Sequence, residues 1–403
     1  MIQLRAWKEQ LGYVPIIGQC GLIIVGSASG VVVEPLLVGL IAAVASAATS
    51  LALTPRLARL LLSKGISGQD IHKPDRAVVA EMGGISVVAA SLIGWAVCAA
   101  LGPEDAVLPI ASSAACVGLV ALVGALDDLR GLRQRNKVIL TALAAAPIIA
   151  INSLSTAVYF PGAGLVGADI IYPLILVPLG VAAASNLTNM YAGFNGLEAG
   201  VGIVSMAFLC LVALAAGNLV AAAILLPAIG ALVGFLRYNA YPARTFPGDV
   251  GTLSIGACMA CAAICGKVEF FALLVLLPVI IDFLFKAKVS FSTRSIGDST
   301  LDESGRLVPP SYASVVHMIM KKLRTTEKSL VAWLCGLSAA FGLISLVTAL
   351  ASGARSHLEG FTSQYLGDAR VAALGFAVPA VALSIAYIKS GNNSSKRRMR
   401  PRG

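Results

Sequence analysis

The sequence predicts an all-α, polytopic integral membrane protein with about ten to twelve transmembrane helices. Three observations carry this. Hydrophobic residues make up 58% of the 403 and charged residues only 12%, against about 45–50% and about 25% in ordinary soluble domains. Apolar runs of on the order of 20 residues, enough to span a bilayer, recur along almost the whole chain. Nearly all the lysine and arginine falls in alternate connections between those runs.

The predicted crossings lie at 13–33, 36–58, 82–101, 106–126, 138–153, 170–188, 198–216, 219–237, 251–266, 268–287, 329–350 and 371–389. The first is weakened by Pro15 and several glycines. With the N-terminus inside and the helices alternating, 27 of the 30 Lys and Arg fall on the inner side; Lys267, Arg355 and Arg370 fall outside. That is the split of the positive-inside rule, so both termini and the charged loops are expected in the cytosol. The whole chain, residues 1–403, then reads as a single membrane domain. Residues 1–35 form an extra apolar segment, 36–328 a core with cytosolic loops, and 329–403 closing helices and a basic tail. The net charge of +10 is explained by orientation and anionic membrane lipids, without a nucleic-acid partner. Residues 312–328 carry an apolar stripe of Tyr312, Val315, Val316, Ile319 and Leu323, which suits a helix lying in the membrane interface; packing on neighbouring helices suits it as well. The eight cysteines lie mostly within apolar segments and read as buried hydrophobes. Cys258, Cys261 and Cys265 share a helix face, but no histidine or acid accompanies them as a metal ligand.

A transporter places ionisable groups at mid-membrane. Here Asp282 is the main such residue, and it lies near a predicted cytosolic end. The remaining polar residues gather in four clusters at cytosolic helix ends. Asp127 and Asp128 leave a membrane helix ahead of Arg130, Arg133, Arg135 and Lys137. Adjacent side chains on a helix diverge by about 100°, so one carboxylate can face a metal or substrate while the other orients a neighbour; a solvated helix end is the plain alternative. Asn186 and Asn189 share a helix face, and Gly193 and Gly196 predict a break that exposes backbone donors. Such amides offer neutral oxygen ligands and donors, suited to Mg²⁺ or a pyrophosphate. The third cluster runs from Tyr238 through Arg244 and Phe246 to Gly248-Asp249, where capping of the next helix is an ordinary use for the acid. The fourth joins Asp70, Ile71, His72 and Lys73 to Glu81.

In this order, the strings GQDIHK, LDDLRGLRQRNK, NLTNMYAGFNGLEAG and YNAYPARTFPGD resemble the polyprenyl-phosphate N-acetylhexosamine-1-phosphate transferase superfamily, glycosyltransferase family 4. The branch most resembled is the dolichyl-phosphate one that uses UDP-N-acetylglucosamine, over about residues 36–312. The resemblance implies a Mg²⁺-dependent site, with Mn²⁺ as substitute, on the cytosolic face. A sugar-1-phosphate passes from a UDP-N-acetylhexosamine to a polyprenyl or dolichyl phosphate with release of UMP. It implies catalytic roles for Asp127, Asp128 and Lys137, metal ligation by Asn189 and Asp249, and support from Asn186. It further implies a uridine pocket of Gly193, Asn195 and Phe246, with Ile71 and Glu81 on the same side. Arg294 matches the first of two sugar-binding arginines, whereas Ile296 stands where the second is expected. Bacterial relatives carry Asp-Gly where this chain has Ala192-Gly193, and a histidine-rich motif that it lacks, which argues against a muramyl-pentapeptide substrate. The expected partners are the two substrates and membrane lipids, with a homodimer allowed for. The competing class, a secondary transporter or lipid flippase, leaves the ordered motifs unexplained.

Overall fold

A computed structural model describes residues 25–27, 30–32, 35–71, 77–152, 157–288, 299–309 and 314–353. The chain divides into two units, Met1–Glu34 and Pro35–Gly403. In the first, β1 (Val25–Ser27) pairs antiparallel with β2 (Gly30–Val32). Residues 25–27 and 30–32 are thus paired strands and not part of a crossing helix, in keeping with their valines. The rest of the predicted 13–33 crossing, and all of 371–389, lie outside the described residues.

The second unit is a helix bundle. Its elements are α1 (Pro35–Ser63), the hairpin β3 (Ser67–Gln69) and β4 (Val78–Ala80), α2 (Gly84–Leu101), α3 (Glu104–Arg130), α4 (Gln134–Leu143) and α5 (Ala146–Asn152). There follow the hairpin β5 (Ala157–Phe160) and β6 (Gly164–Gly167), and a π-helical turn at Tyr172–Leu176 that runs into α6 (Val177–Met190). Then come α7 (Leu197–Ala215), α8 (Leu219–Asn239), α9 (Gly248–Gly266) and α10 (Glu269–Lys288). The short strands β7 (Thr300–Leu301) and β8 (Leu307–Val308) precede α11 (Val315–Leu323) and α12 (Glu327–Ala351). Among the described residues, nine helices are long and apolar enough to cross a membrane.

The predicted crossing at 138–153 is not one of them. It is broken at Ala144–Ala145 into α4 and α5. Pro147 is the reason: it has no N–H to donate, and its ring collides with the carbonyl one turn back, so a new helix starts just before it.

Helix α9 is the centre of the bundle. It is 83% buried over its apolar window, against 28% for α1 and 33% for α12. It packs on α3, α6, α8 and α2, and the close approaches use small residues, as in other membrane helix pairs. A Cβ on Gly256 would lie 2.1 Å from the Ala184 carbonyl oxygen of α6, and one on Gly124 of α3 would lie 2.6 Å from the Asp249 carbonyl. The buried Cys258 and Cys261 fill this packing. Among the described residues no group of three or more His, Cys, Asp or Glu is disposed to hold a metal.

The alternation of helices sorts the loops. One end carries 64–71, 77–83, 131–133, 191–196, 240–247, 299–309 and 324–326; the other carries β5–β6, the connections 102–103, 216–218 and 267–268, and the end of α12. Among the described residues, Lys267 is the one Lys or Arg at that second end. At the first end, α11 is held down by protein. Val315, Val316 and Met320 are buried in clusters with α10 and α12, and the Asp282 carboxylate accepts from Val315 N at 2.8 Å. Of the apolar stripe, Val315 and Val316 are buried and Ile319 half-buried, while Leu323 is 47% exposed, so α11 is packed on its neighbours along most of that stripe. Asp282 itself pairs with Lys286 at 2.7 Å, and the Lys286 ammonium donates to the Met190 carbonyl at 2.5 Å, closing the end of α6.

Gly256→Val should therefore cost about 1–3 kcal/mol of stability through overpacking. Gly118→Val on α3, where an added Cβ meets nothing within 4 Å, should be close to neutral. Thermal unfolding of the detergent-solubilised proteins checks both.

Candidate active site

The site is assembled where the C-terminus of α3 meets the N-terminus of α9. Gly124 has no side chain to keep them apart. The two adjacent carboxylates then diverge. Asp128 turns to α9: its Oδ1 accepts from Asp249 N at 2.8 Å and its Oδ2 from Val250 N at 3.1 Å. Asp127 turns the other way. Its Oδ1 accepts from Leu132 N at 2.5 Å, across a bend made by Gly131 at φ +66°. Its Oδ2 pairs with the Lys137 ammonium.

Lys137, on the first turn of α4, is 8% exposed. Its Nζ also lies 2.5 Å from Asp249 Oδ2, so one ammonium bridges carboxylates from two helices. The capping use for Asp249 is not what the structure shows. Asp249 is the second residue of α9, and it is Asp128, from α3, that satisfies the free N–H groups there. Asp249 is left facing Lys137.

The 240–247 connection is stitched to the 80–84 loop. Phe246 N donates to Ala80 O at 2.8 Å, Gly83 N to Phe246 O at 2.8 Å, and Gly84 N to Pro247 O at 2.9 Å. This sets Glu81 and Phe246 side by side next to Gly68: a Cβ there would lie 3.3 Å from Glu81 Oε2 and 3.5 Å from Phe246 Cδ2. Burial, with the Asp249 carboxylate behind it, pushes the Glu81 carboxyl above the ordinary range. Ile71 is 47% exposed on the same loop system.

The end of α6 supplies the amides. Asn186 is buried; its Nδ2 donates to Thr141 Oγ1 at 3.0 Å and Ala182 O at 2.8 Å, while its Oδ1 is buried with no hydrogen-bond partner in the protein. Thr188 Oγ1 reaches the Thr252 carbonyl at 2.9 Å. Asn189, the next residue, is thereby held at the end of α6 alongside the first turns of α9, where it is half-buried. The helix breaks after Met190 as the glycines predict, with Gly193 at φ +120° and Gly196 at +81°. The freed donors are not open, however. Gly193 N donates to Glu198 Oε1 at 2.5 Å and Asn195 N to Glu327 Oε1 at 2.7 Å. The Asn195 amide also donates to Asp70 Oδ2 at 2.9 Å.

The structure thus brings Asp127, Asp128, Lys137 and Asp249 into one contact network, seats Glu81 beside Phe246, and ties Asn195 to the 67–80 hairpin. Arg294 lies outside the described residues, as do His72 and Lys73. Glu198, Glu327 and Thr141 were given no role from the sequence, and Asp70 appeared only as a member of the fourth cluster. Glu198 stood inside a quoted motif; nothing local marks Glu327, whose partner is 132 residues away.

Two carboxylates, Asp127 and Asp249, share one ammonium, while Asp128 lies on the α9 N–H groups beside them. This excess of negative charge, together with the unpartnered Asn186 Oδ1 buried on α6, suits a hard divalent cation. Mg²⁺ takes one or two carboxylates and completes its shell with water and substrate phosphate.

A polytopic bundle with acids, a lysine and amides at converging helix ends defines a membrane-embedded enzyme, and comparison with known proteins gives its class. Residues 110–267 match glycosyl transferase family 4, and the chain belongs to that family. It is 32% identical over 284 residues to a candidate UDP-N-acetylglucosamine–dolichyl-phosphate N-acetylglucosaminephosphotransferase of Saccharolobus solfataricus, covering 70% of this chain and 87% of the relative. A candidate glycosyltransferase of Methanocaldococcus jannaschii is 32% identical over 302 residues, 73% of this chain and 92% of the relative. A phospho-N-acetylmuramoyl-pentapeptide-transferase of Clostridium botulinum is 32% identical over 166 residues, 38% of this chain and 51% of the relative.

Asp128→Ala removes the acceptor of two helix-end N–H groups. It should lower the unfolding free energy by about 0.5–2 kcal/mol, as cap removal does, seen as a lower melting temperature in detergent.

Proposed function

We propose that this protein transfers N-acetylglucosamine-1-phosphate from UDP-N-acetylglucosamine to a dolichyl-type polyprenyl phosphate, releasing UMP and leaving a lipid-linked pyrophosphoryl sugar. The observation that carries it is the Asp127–Lys137–Asp249 contact at the meeting of α3, α4 and α9. It is supported by relatives that match along most of the chain and are named for this reaction. The pentapeptide transferases match over a shorter stretch, and the missing histidine motif favours the dolichyl-type reading over theirs. The one-sided charge supports a cytosolic active site and cytosolic termini.

The lipid phosphate, with a second pKa near about 6, is largely dianionic at neutral pH. It needs little help from a base; its problem is approaching another anion. An oxygen of the lipid phosphate attacks the β-phosphorus of the nucleotide sugar, a new P–O bond forms, and the bond to UMP breaks. Lys137 offsets the charge gathered there. Asp127, held by Leu132 N–H, fixes the Lys137 ammonium and would take a residual proton from the acceptor. Asp128 acts at one remove, by holding the α9 turn that presents Asp249. Asn189 and Asp249 would hold Mg²⁺, with Asn186 behind them. When bound, the cation supplies charge neutralisation on the phosphates and the leaving UMP. Gly193, Asn195 and Phe246 form the uridine side, with Phe246 stacking on the base and Ile71 and Glu81 beside it; Arg294 serves the sugar.

Asp127→Asn and Lys137→Ala should each cut turnover by at least about 10²-fold, the loss typical of removing one aligned electrostatic group, while the purified proteins keep the wild-type elution profile. UMP release from UDP-N-acetylglucosamine with lipid phosphate is the assay; wild-type rates in both would sink the assignment. Chelation of divalent cations should abolish UMP release and added Mg²⁺ restore it. Substrate movement across vesicles without UMP release would instead favour a transporter. A panel of UDP-sugars in the same assay decides the hexosamine.

A further inference from the structure

The loop between α6 and α7 is held from outside its own neighbourhood. Tyr191 and Phe194 anchor it in a buried cluster with Leu307, Val316 and Leu330, and Glu198 takes Gly193 N from the next helix. Glu327 is different. It is the first residue of α12, yet it is 6% exposed and its Oε1 accepts from Asn195 N at 2.7 Å.

A glutamate in a first helical turn ordinarily stays in water and gains from the helix dipole there. The start of α12 does not need it as a cap, because Thr326 Oγ1 already accepts from Ser329 N. Burying a carboxylate costs free energy unless hydrogen bonds replace its water. What Glu327 obtains is a charge-assisted bond to the loop backbone, of the stronger kind. On its other side Asn195 is fixed by Asp70, so its main chain and its side chain are each clamped by an acid from a different part of the chain. The neighbouring Lys328 lies over the Tyr241 ring, 5.0 Å from its centre, so the same helix start also meets the connection that carries Phe246.

We infer that Glu327 is a positioning residue for the nucleotide sugar. It touches no substrate; it sets the Gly193–Asn195 loop, and with Asp70 it fixes the pocket wall opposite Phe246. The inference rests on the reading of that loop as the uridine side of the site. It extends the working part of the enzyme into α12, beyond the 110–267 region that the family match covers.

The test compares wild type with Glu327→Ala, Glu327→Gln and Glu327→Asp in full-length protein. Ala removes the acceptor. Gln keeps an amide oxygen at the same reach. Asp keeps the charge at the helix start but withdraws the acceptor by one methylene. Glu327→Ala and Glu327→Asp should raise the KM for UDP-N-acetylglucosamine about tenfold, as loss of a charged hydrogen bond implies. Turnover at saturation and the KM for lipid phosphate should stay within about twofold, a shift too small to report a lost hydrogen bond, and Glu327→Gln should restore the KM. Amide hydrogen exchange at residues 193–197 should speed up in the Ala and Asp variants alone. Unchanged exchange and KM in both would overturn the inference. So would a parallel fall in turnover and both KM values that Gln fails to rescue, since that reports only a weakened fold. A wild-type protein that releases no UMP fails the functional reading itself, an outcome separate from a turning-over wild type with indifferent variants.

Discussion

The Asp128 carboxylate on the first N–H groups of α9 is the contact on which the site depends. A helix N-terminus carries N–H groups with no partner of their own, and α9 begins packed against the end of α3 with Asp249 half-buried. Asp128 meets that need from a neighbouring helix. Gly124 lets the two helices come close enough for it to do so. Once α9 is fixed there, Asp249 is aimed at Lys137, and the 246–247 backbone falls into register with the 80–84 loop. The charged centre and the Phe246 side of the pocket are thus two consequences of one docked helix end.

Two neighbouring aspartates accordingly do two kinds of work. Asp128 spends both oxygens on backbone donors, whereas Asp127 meets an ammonium. The sequence reading that adjacent helical side chains diverge anticipated a division of labour but left open which residue took which part. Only the direction of α9 decides that, and it is a long-range fact. The same holds for Asp249. Seen as Gly-Asp before an apolar run it resembles a cap, but its backbone is the group being capped.

The crossings were legible because each is a long apolar run, and the bilayer sets that length. Ten of the predicted segments fall on described residues beyond the first, and nine of them are continuous helices. The exception, at 138–153, turns on Pro147, whose effect depends on whether a neighbouring helix tolerates the kink. The four motif clusters were legible as polar residues at helix ends on one side. The contacts between them were not. Asn195 with Asp70, Asn195 with Glu327 and Asp282 with the start of α11 join residues 125, 132 and 33 positions apart, and no periodicity reports such pairs. The open backbone donors expected at the Gly193–Gly196 break were another local inference that tertiary structure reversed, because carboxylates from elsewhere arrive to take them.

Those carboxylates also explain why so much acid lies on a face whose loops are strongly basic. An acceptor-rich anionic substrate would be repelled by Glu198, Glu327 and Asp70 if they were open to it. Each instead has an oxygen on a loop N–H or on the Asn195 amide, so part of its charge is spent on shaping the pocket. Asp127 and Asp249 are held by Lys137. Arg130, Arg133 and Arg135, on the α3–α4 connection next to Asp127, are all exposed. The site's acids are turned inward to fix geometry while these arginines are turned outward. A charge count that labels the whole face basic conceals that separation, which keeps exposed arginines beside a centre where Asp127 and Asp249 are tied to Lys137.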